Sequence, residues 1–241
     1  MFIRGKFMRM IYPELIKNRI PSLCIFMLFV SSVASVAIAV GCTKLDTEGI
    51  VVSEKGLAYV TLCQVFLLFI IPIGIMLLSI LFNSWEEKFG GWRIVMTSRV
   101  NIGSVHSAKI SLIFVIVFVM MIPLIICGAI CFEDFGTGTV LNGVMLPLMA
   151  ACLCFFPMCV LMYFTAFLMS GALPVIFIGL LFVISTIFVS GSFAEKYDPL
   201  CYPYVIAMNY DNVAVRIAFS ACVSVLMLIV GTAFSRRRIS R

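Results

Sequence analysis

Six stretches of this chain run for about 20 residues almost without charge, and no other feature restricts the fold as much. They cover residues 23–40, 57–82, 110–130, 144–163, 172–189 and 213–234 of 241. A helix of that length crosses the hydrocarbon layer while satisfying its own backbone hydrogen bonds. The expectation is an all-α polytopic membrane protein, with six transmembrane helices in a single membrane domain, 1–241. Between the fourth and fifth runs only Thr165, Ser170 and Gly171 interrupt the apolar sequence. A tight helical hairpin turning at Ser170-Gly171 is expected; the alternative is one long tilted or broken helix. Pro72 with Gly74, Pro123 and Pro157 mark expected kinks.

Composition closes off the soluble classes. Charged residues are 12% of the chain, against about 25% in a soluble domain. Hydrophobic residues are 63%, with 22 Phe and 15 Met, and the mean hydropathy is +1.19. Disorder, a coiled coil and a nucleic-acid-binding domain do not fit that balance, and no nucleic-acid partner is expected. The net charge of +6 asks for a membrane explanation, and its placement supplies one. Residues 1–22, 83–109 and 235–241 hold 13 of the 17 basic residues and only Glu14, Glu86 and Glu87 among the acidic ones, a net of +10. The intervening segments carry eight acidic residues against Lys44, Lys55, Lys196 and Arg216, a net of −4. The positive-inside rule then puts both termini in the cytoplasm, which six spans satisfy and five do not.

The start does not read as a signal peptide: the first apolar run is too long, and no small-residue cleavage site follows it. Residues 1–20 are basic and amphipathic, with Phe2, Phe7, Met10, Ile11, Leu15 and Ile16 among Arg4, Lys6, Arg9 and Lys17. Such a segment either lies as a helix along the inner leaflet or is a solvated basic flank. On the opposite side, 190–212 contains Phe193, Tyr197, Tyr202, Tyr204 and Tyr210. It is expected to fold back into the outer interface, with Arg216 snorkelling outward.

Patterns for chemistry are missing. The nearest approach to a P-loop, 103–110, has Ala108 and Ile110 where the motif needs Gly and Ser or Thr. The one histidine, His106, falls in the 83–109 segment with no carboxylate near it in sequence, and is expected to be solvated. Cys152 and Cys154 make a C-x-C with no nearby His or carboxylate, so no metal site is expected. Cys42, Cys131 and Cys201 flank loops on one side, where a disulfide can form. The six runs contain no Asp, Glu or Lys and a single Arg, Arg216. That argues against a proton-coupled carrier and a voltage sensor. Gln64, Thr61, Ser79, Ser185 and Thr186, with Ser220 and Ser224, are among the polar residues inside the runs. They either line a pathway or bond their own backbone and neighbouring helices.

The informative segment is 83–109, NSWEEKFGGWRIVMTSRVNIGSVHSAK. Glu86 and Glu87 open it. Trp92, Val95, Met96 and Arg99 then fall at i, i+3, i+4 and i+7, which predicts a short helix with one bulky apolar face. Such a ridge either docks in a partner's groove or lies in the lipid interface.

In these features the chain resembles the permease subunit of a type-2 ABC exporter, within the lantibiotic-immunity subfamily. The segment Glu14-Leu15-Ile16-Lys17-Asn18-Arg19 before the first span is similar to that family's E-L-x-K opening. Glu87-x4-Trp92-Arg93 is similar to its acidic residue followed by W-K or W-R, and Ala108-Lys109 to the A-K or G-K that closes the loop. The chain departs from the family where Ser98 and Arg99 stand in place of a frequent mid-loop proline. The resemblance implies a coupling helix in 83–109 that docks on a separate ATPase through Glu86, Glu87, Trp92, Arg93, Val95 and Met96, with Lys109 closing the loop. It implies an elbow helix over 1–20, carrying Glu14, Lys17 and Arg19, and an outer gate segment over 190–212. The implied assembly has two ATPase subunits, which bind ATP and Mg, and a second permease that is either another copy or a related chain. The implied cargo is an amphiphilic antimicrobial peptide expelled from a bacterial plasma membrane. This chain would then be a transporter subunit, not an enzyme, and would bind no cofactor itself. The alternatives are an ABC-2 permease for a drug, lipid or cytotoxic peptide, and a stand-alone six-span channel or scaffold.

Overall fold

The computed structural model describes residues 63–88, 102–131, 145–169, 171–189, 192–208 and 212–239, with seven helical positions between Phe26 and Val40. Among the described residues the protein is all-helical, without a strand. A π-helical turn, Phe66–Ile70, leads into α1, Ile71–Lys88. Helix α2 is Ile102–Cys131, α3 is Leu146–Cys154, α4 is Phe156–Met169 and α5 is Ala172–Val189. A 3-10 turn at Phe193–Lys196 and the short α6, Tyr202–Met208, precede α7, Val213–Ile239.

Five helical stretches among the described residues are long and apolar enough to cross a membrane: Cys63–Glu87, Ile102–Ile126, Leu146–Met169, Ala172–Val189 and Val213–Ser235. The first expected span lies mostly outside the described residues. Its Ser31 is buried, and the hydroxyl donates a hydrogen bond to the Met120 carbonyl of α2. The elbow residues Glu14, Lys17 and Arg19 lie outside the described residues, as does Thr61.

Prolines shape the helices in three different ways. The Ile71 N–H bonds the Phe66 carbonyl five residues back, so the helix widens just before Pro72. The wider turn accommodates a ring that would clash with the preceding turn and has no N–H to offer. At Pro157 the ladder slips instead. Phe155 forms a turn, its N–H bonding the Cys152 carbonyl at 3.1 Å, and α4 starts at the next residue. The helix assignment runs unbroken through Pro123. The hairpin turn falls at 170–171, as expected, since α4 ends at Met169 and α5 begins at Ala172.

Several boundaries differ from the sequence expectation. The fourth span starts at Leu146 and continues to Met169, and the last helix reaches Ile239. More consequentially, α1 continues to Lys88 and α2 begins at Ile102. Both helices reach into what hydropathy alone reads as loop, because no breaker interrupts the chain before Gly90-Gly91.

Contacts set the order of the ends. His106 and Lys109, near the start of α2, meet Glu86 near the end of α1 and Tyr163 in the second half of α4. At the opposite end, Tyr202 and Ile206 of α6 cluster with Ala150 and Cys154 of α3. Successive long helices therefore run antiparallel. Most residues of the span Leu146–Met169 are buried, and it sits at the centre, against α1, α2, α5 and α7. Few residues of Val213–Ser235 are buried. Leu173, Phe177 and Phe188 of α5 are outward and exposed, as expected of a surface in lipid. Lipid tails are as apolar as Leu, so close packing, more than apolar burial, must hold the helices together. Two glycines mark close approaches: a Cβ at Gly179 of α5 would run into Met76 of α1, and one at Gly231 of α7 into the ring of Phe164 of α4.

The described part of the 190–212 segment, 192–208, does fold back. Cys201, Tyr202, Val205 and Ile206 are buried. The Tyr202 hydroxyl donates to the Lys196 carbonyl at 2.6 Å, and Arg216 lies 3.6 Å from Glu195 and 5.9 Å from the Tyr202 ring centroid. Arg216 therefore pairs inside this cap instead of reaching outward alone. Cys201 is a free thiol that donates to the Asp198 carboxylate at 3.1 Å, so it does not form the disulfide open to it from sequence. Burial, reinforced by that carboxylate, pushes the thiol up to about 12. A raised value keeps the neutral thiol, so alkylation should stay slow across pH 7–9. Maleimide labelling of Cys201, read by peptide mass spectrometry, is expected to be roughly three orders of magnitude slower folded than unfolded. Equal rates would show that this cap does not hold the thiol.

Candidate functional site

Where α1, α2 and α4 meet at one end of the bundle, the helices bury a set of polar side chains. Ser79, Asn83 and Glu86 lie on one face of α1, at i, i+4 and i+7. His106 and Lys109 lie one turn apart on α2, and Tyr163 projects from α4. All six are at most 4% exposed. The Lys109 ammonium stands 3.2 Å from the Glu86 carboxylate. The Tyr163 hydroxyl is 2.9 Å from Nδ1 of His106, and the imidazole is walled by Phe164 and Phe167, with ring centroids at 5.3 and 4.9 Å. The Asn83 amide N–H groups donate to the Ser79 carbonyl at 2.9 Å and the Tyr163 carbonyl at 3.4 Å, which joins α1 to α4.

Charge can be buried here because it is paired: two opposite charges at hydrogen-bonding range offset much of the cost of leaving water. Location helps as well. With 30 residues, α2 is about 45 Å long, well beyond a hydrocarbon core of about 30 Å. The pair therefore sits in the helical extension at one end of the bundle, not at mid-span.

This arrangement corrects three expectations. Glu86 does not belong to an exposed docking surface, since it is 4% exposed and faces Lys109 inside the bundle. His106 is not solvated: it is fully buried on a helix, beside the Glu86–Lys109 pair, with a tyrosine on its ring nitrogen. The helices are not free of Asp, Glu and Lys, because the stretches Cys63–Glu87 and Ile102–Ile126 carry Glu86 and Lys109. Hydropathy hid the cluster by trimming both helices at their first polar residues. The i+7 spacing of Ser79 and Glu86, with Asn83 between, was the available signal.

Glu87, one residue on, is exposed. Trp92, Arg93, Val95 and Met96 lie outside the described residues. Of the pathway candidates, Thr186 and Ser185 donate to the Phe182 carbonyl of their own helix, at 2.9 Å each. Gln64 and Ser79 are buried among the helices. Among the described residues there is no group of His, Cys, Asp and Glu able to hold a metal ion. Comparison of the chain with family models, with curated proteins and with solved structures finds no match.

Proposed function

We propose that this chain is the membrane-spanning permease subunit of an ABC-2 type exporter. It would have six spans, an elbow helix over 1–20 and both termini in the cytoplasm of a bacterial cell. The reading rests on the motifs around Glu14, Glu87-x4-Trp92-Arg93 and Lys109, and one structural observation supports it. The buried Glu86–Lys109 pair ties the end of α1 to the start of α2, on either side of residues 89–101. A push on that connecting segment, which carries Trp92 and Arg93, would move α1 and α2 together instead of being lost in a slack loop. In this reading the docking residues are Glu87, Trp92, Arg93, Val95 and Met96, while Glu86 acts as the internal clasp. Energy comes from two partner ATPase subunits binding ATP and Mg, and a second permease completes the pathway. The cargo is an amphiphilic antimicrobial peptide of the lantibiotic class, taken from the membrane and released outside.

Co-purification in detergent with the ATPase encoded beside it tests this. The wild type is expected to retain the ATPase, and Trp92→Ala, whose aromatic anchor is gone, to release it or uncouple its hydrolysis. Wild type that binds no ATPase, or a variant that binds and couples like wild type, would overturn the docking assignment.

A second reading is favoured by the buried cluster itself. Glu86, His106, Lys109 and Tyr163, enclosed between helices, are the kind of ionisable set that carries protons in membrane carriers. Uptake or export in proteoliposomes driven by a pH gradient, without ATP or ATPase, would select that reading over the first.

A further inference from the structure

Hydroxyls in these helices almost all return to their own backbone. Thr165 donates to Leu161 O, Ser224 to Ser220 O and Ser235 to Gly231 O, at 2.8, 2.7 and 2.7 Å. Two buried hydroxyls do not, Ser220, which faces the Cys154 thiol, and Ser79. Ser79 is fully buried, and its Oγ makes no hydrogen bond to protein. One turn on, Oδ1 of Asn83 is buried in the same condition. The amide cannot be turned round to relieve it, because its Nδ2 already serves two carbonyls, Ser79 O and Tyr163 O. A flipped amide would set oxygen against oxygen at both. The bond to the Ser79 carbonyl holds the Asn83 side chain back along α1, and the two residues share one face of the helix, one turn apart.

We propose that Ser79 Oγ and Asn83 Oδ1 together hold one buried water molecule. Water suits the pair: it donates to the amide oxygen, which can only accept, and exchanges a hydrogen bond with the hydroxyl, which can do either. Buried waters characteristically satisfy two to four such groups. A metal cation does not suit it, since hard cations collect about six oxygens and this site offers two. The water extends the polar set inward from Glu86 and Lys109, through Asn83, to a point nine residues before the end of α1 at Lys88, about 14 Å along the helix. The site uses only α1 and α4, and is the same under either functional reading.

A crystal structure of the full chain grown in lipidic mesophase, at a resolution that shows ordered water, tests the assignment. The expected result is a peak within about 3.2 Å of both Ser79 Oγ and Asn83 Oδ1, displaced or lost in Ser79→Ala. Two results would overturn it. One is a Ser79 hydroxyl bonded to the Ile75 carbonyl or directly to Asn83, with no peak. The other is a peak surrounded by five or more oxygens at about 2.4 Å, which marks a cation.

Discussion

Replacing Glu86 by alanine should destabilise the folded chain by about 3–5 kcal/mol, the cost of removing one partner from a buried ion pair. The Lys109 ammonium, 1% exposed, would lose the carboxylate 3.2 Å away. Lys109→Met strands the Glu86 carboxylate in the same way and should also destabilise the fold. The double change Glu86→Gln, Lys109→Met should recover most of the loss, because it removes both charges and keeps both volumes. Unfolding midpoints in detergent for the wild type, Glu86→Gln, Lys109→Met and the double variant check this as a double-mutant cycle. Additive losses, with no recovery in the double variant, would mean that the two groups are not coupled. The same variants bear on transport. If the clasp transmits motion from residues 89–101, the double variant should be folded and ATPase-bound yet export poorly.

The second large effect is expected at Gly231. A Cβ there would overlap three ring carbons of Phe164, Cγ, Cδ2 and Cε2. The ring has little room to retreat, being 5% exposed and packed against the His106 and Tyr163 rings at centroid distances of 5.3 and 5.5 Å. Gly231→Ala should therefore cost about 1–3 kcal/mol from overpacking, although alanine is the better helix former by about 1 kcal/mol. Gly74→Ala is the internal control. There the new Cβ meets only the flexible end of Met120, at 3.0 Å from Cε and 3.3 Å from Sδ. A methionine tail can move aside, so propensity should win and the variant should be neutral or slightly stabilised. Adding Phe164→Leu to Gly231→Ala should restore part of the loss. Equal behaviour of the two glycine variants would remove the close α4–α7 approach from the account.

Much of the fold is legible in the order of residues. In lipid, runs of about 20 apolar residues have few structural alternatives to a helix, so the spans after the first were recognisable from hydropathy, and the turn at 170–171 from its small polar residues. Pro157 marked a real interruption, and Pro72 sits beside the π turn. Tyr202 and Tyr204 marked a segment that stays with the bundle. Sidedness of charge, and with it the orientation proposed above, is also a property of sequence alone.

What hydropathy misread is the polar end of α1 and α2. Asn83, Glu86, His106 and Lys109 each look like solvated loop when scored singly, because a lone charge or amide in an apolar environment costs several kcal/mol. Only the tertiary structure places Glu86 against Lys109 and His106 against Tyr163, residues 23 and 57 positions apart in the chain, and pairing removes most of that cost. The contact of Gly231 with Phe164 is of the same kind, since a glycine carries no sign of which ring will fill the space beside it. Sequence by itself determined that this chain is a helical membrane protein, and where most of its helices lie. Which buried polar groups can be tolerated was decided by packing, because the energy of a buried charge depends on its neighbour more than on its own identity.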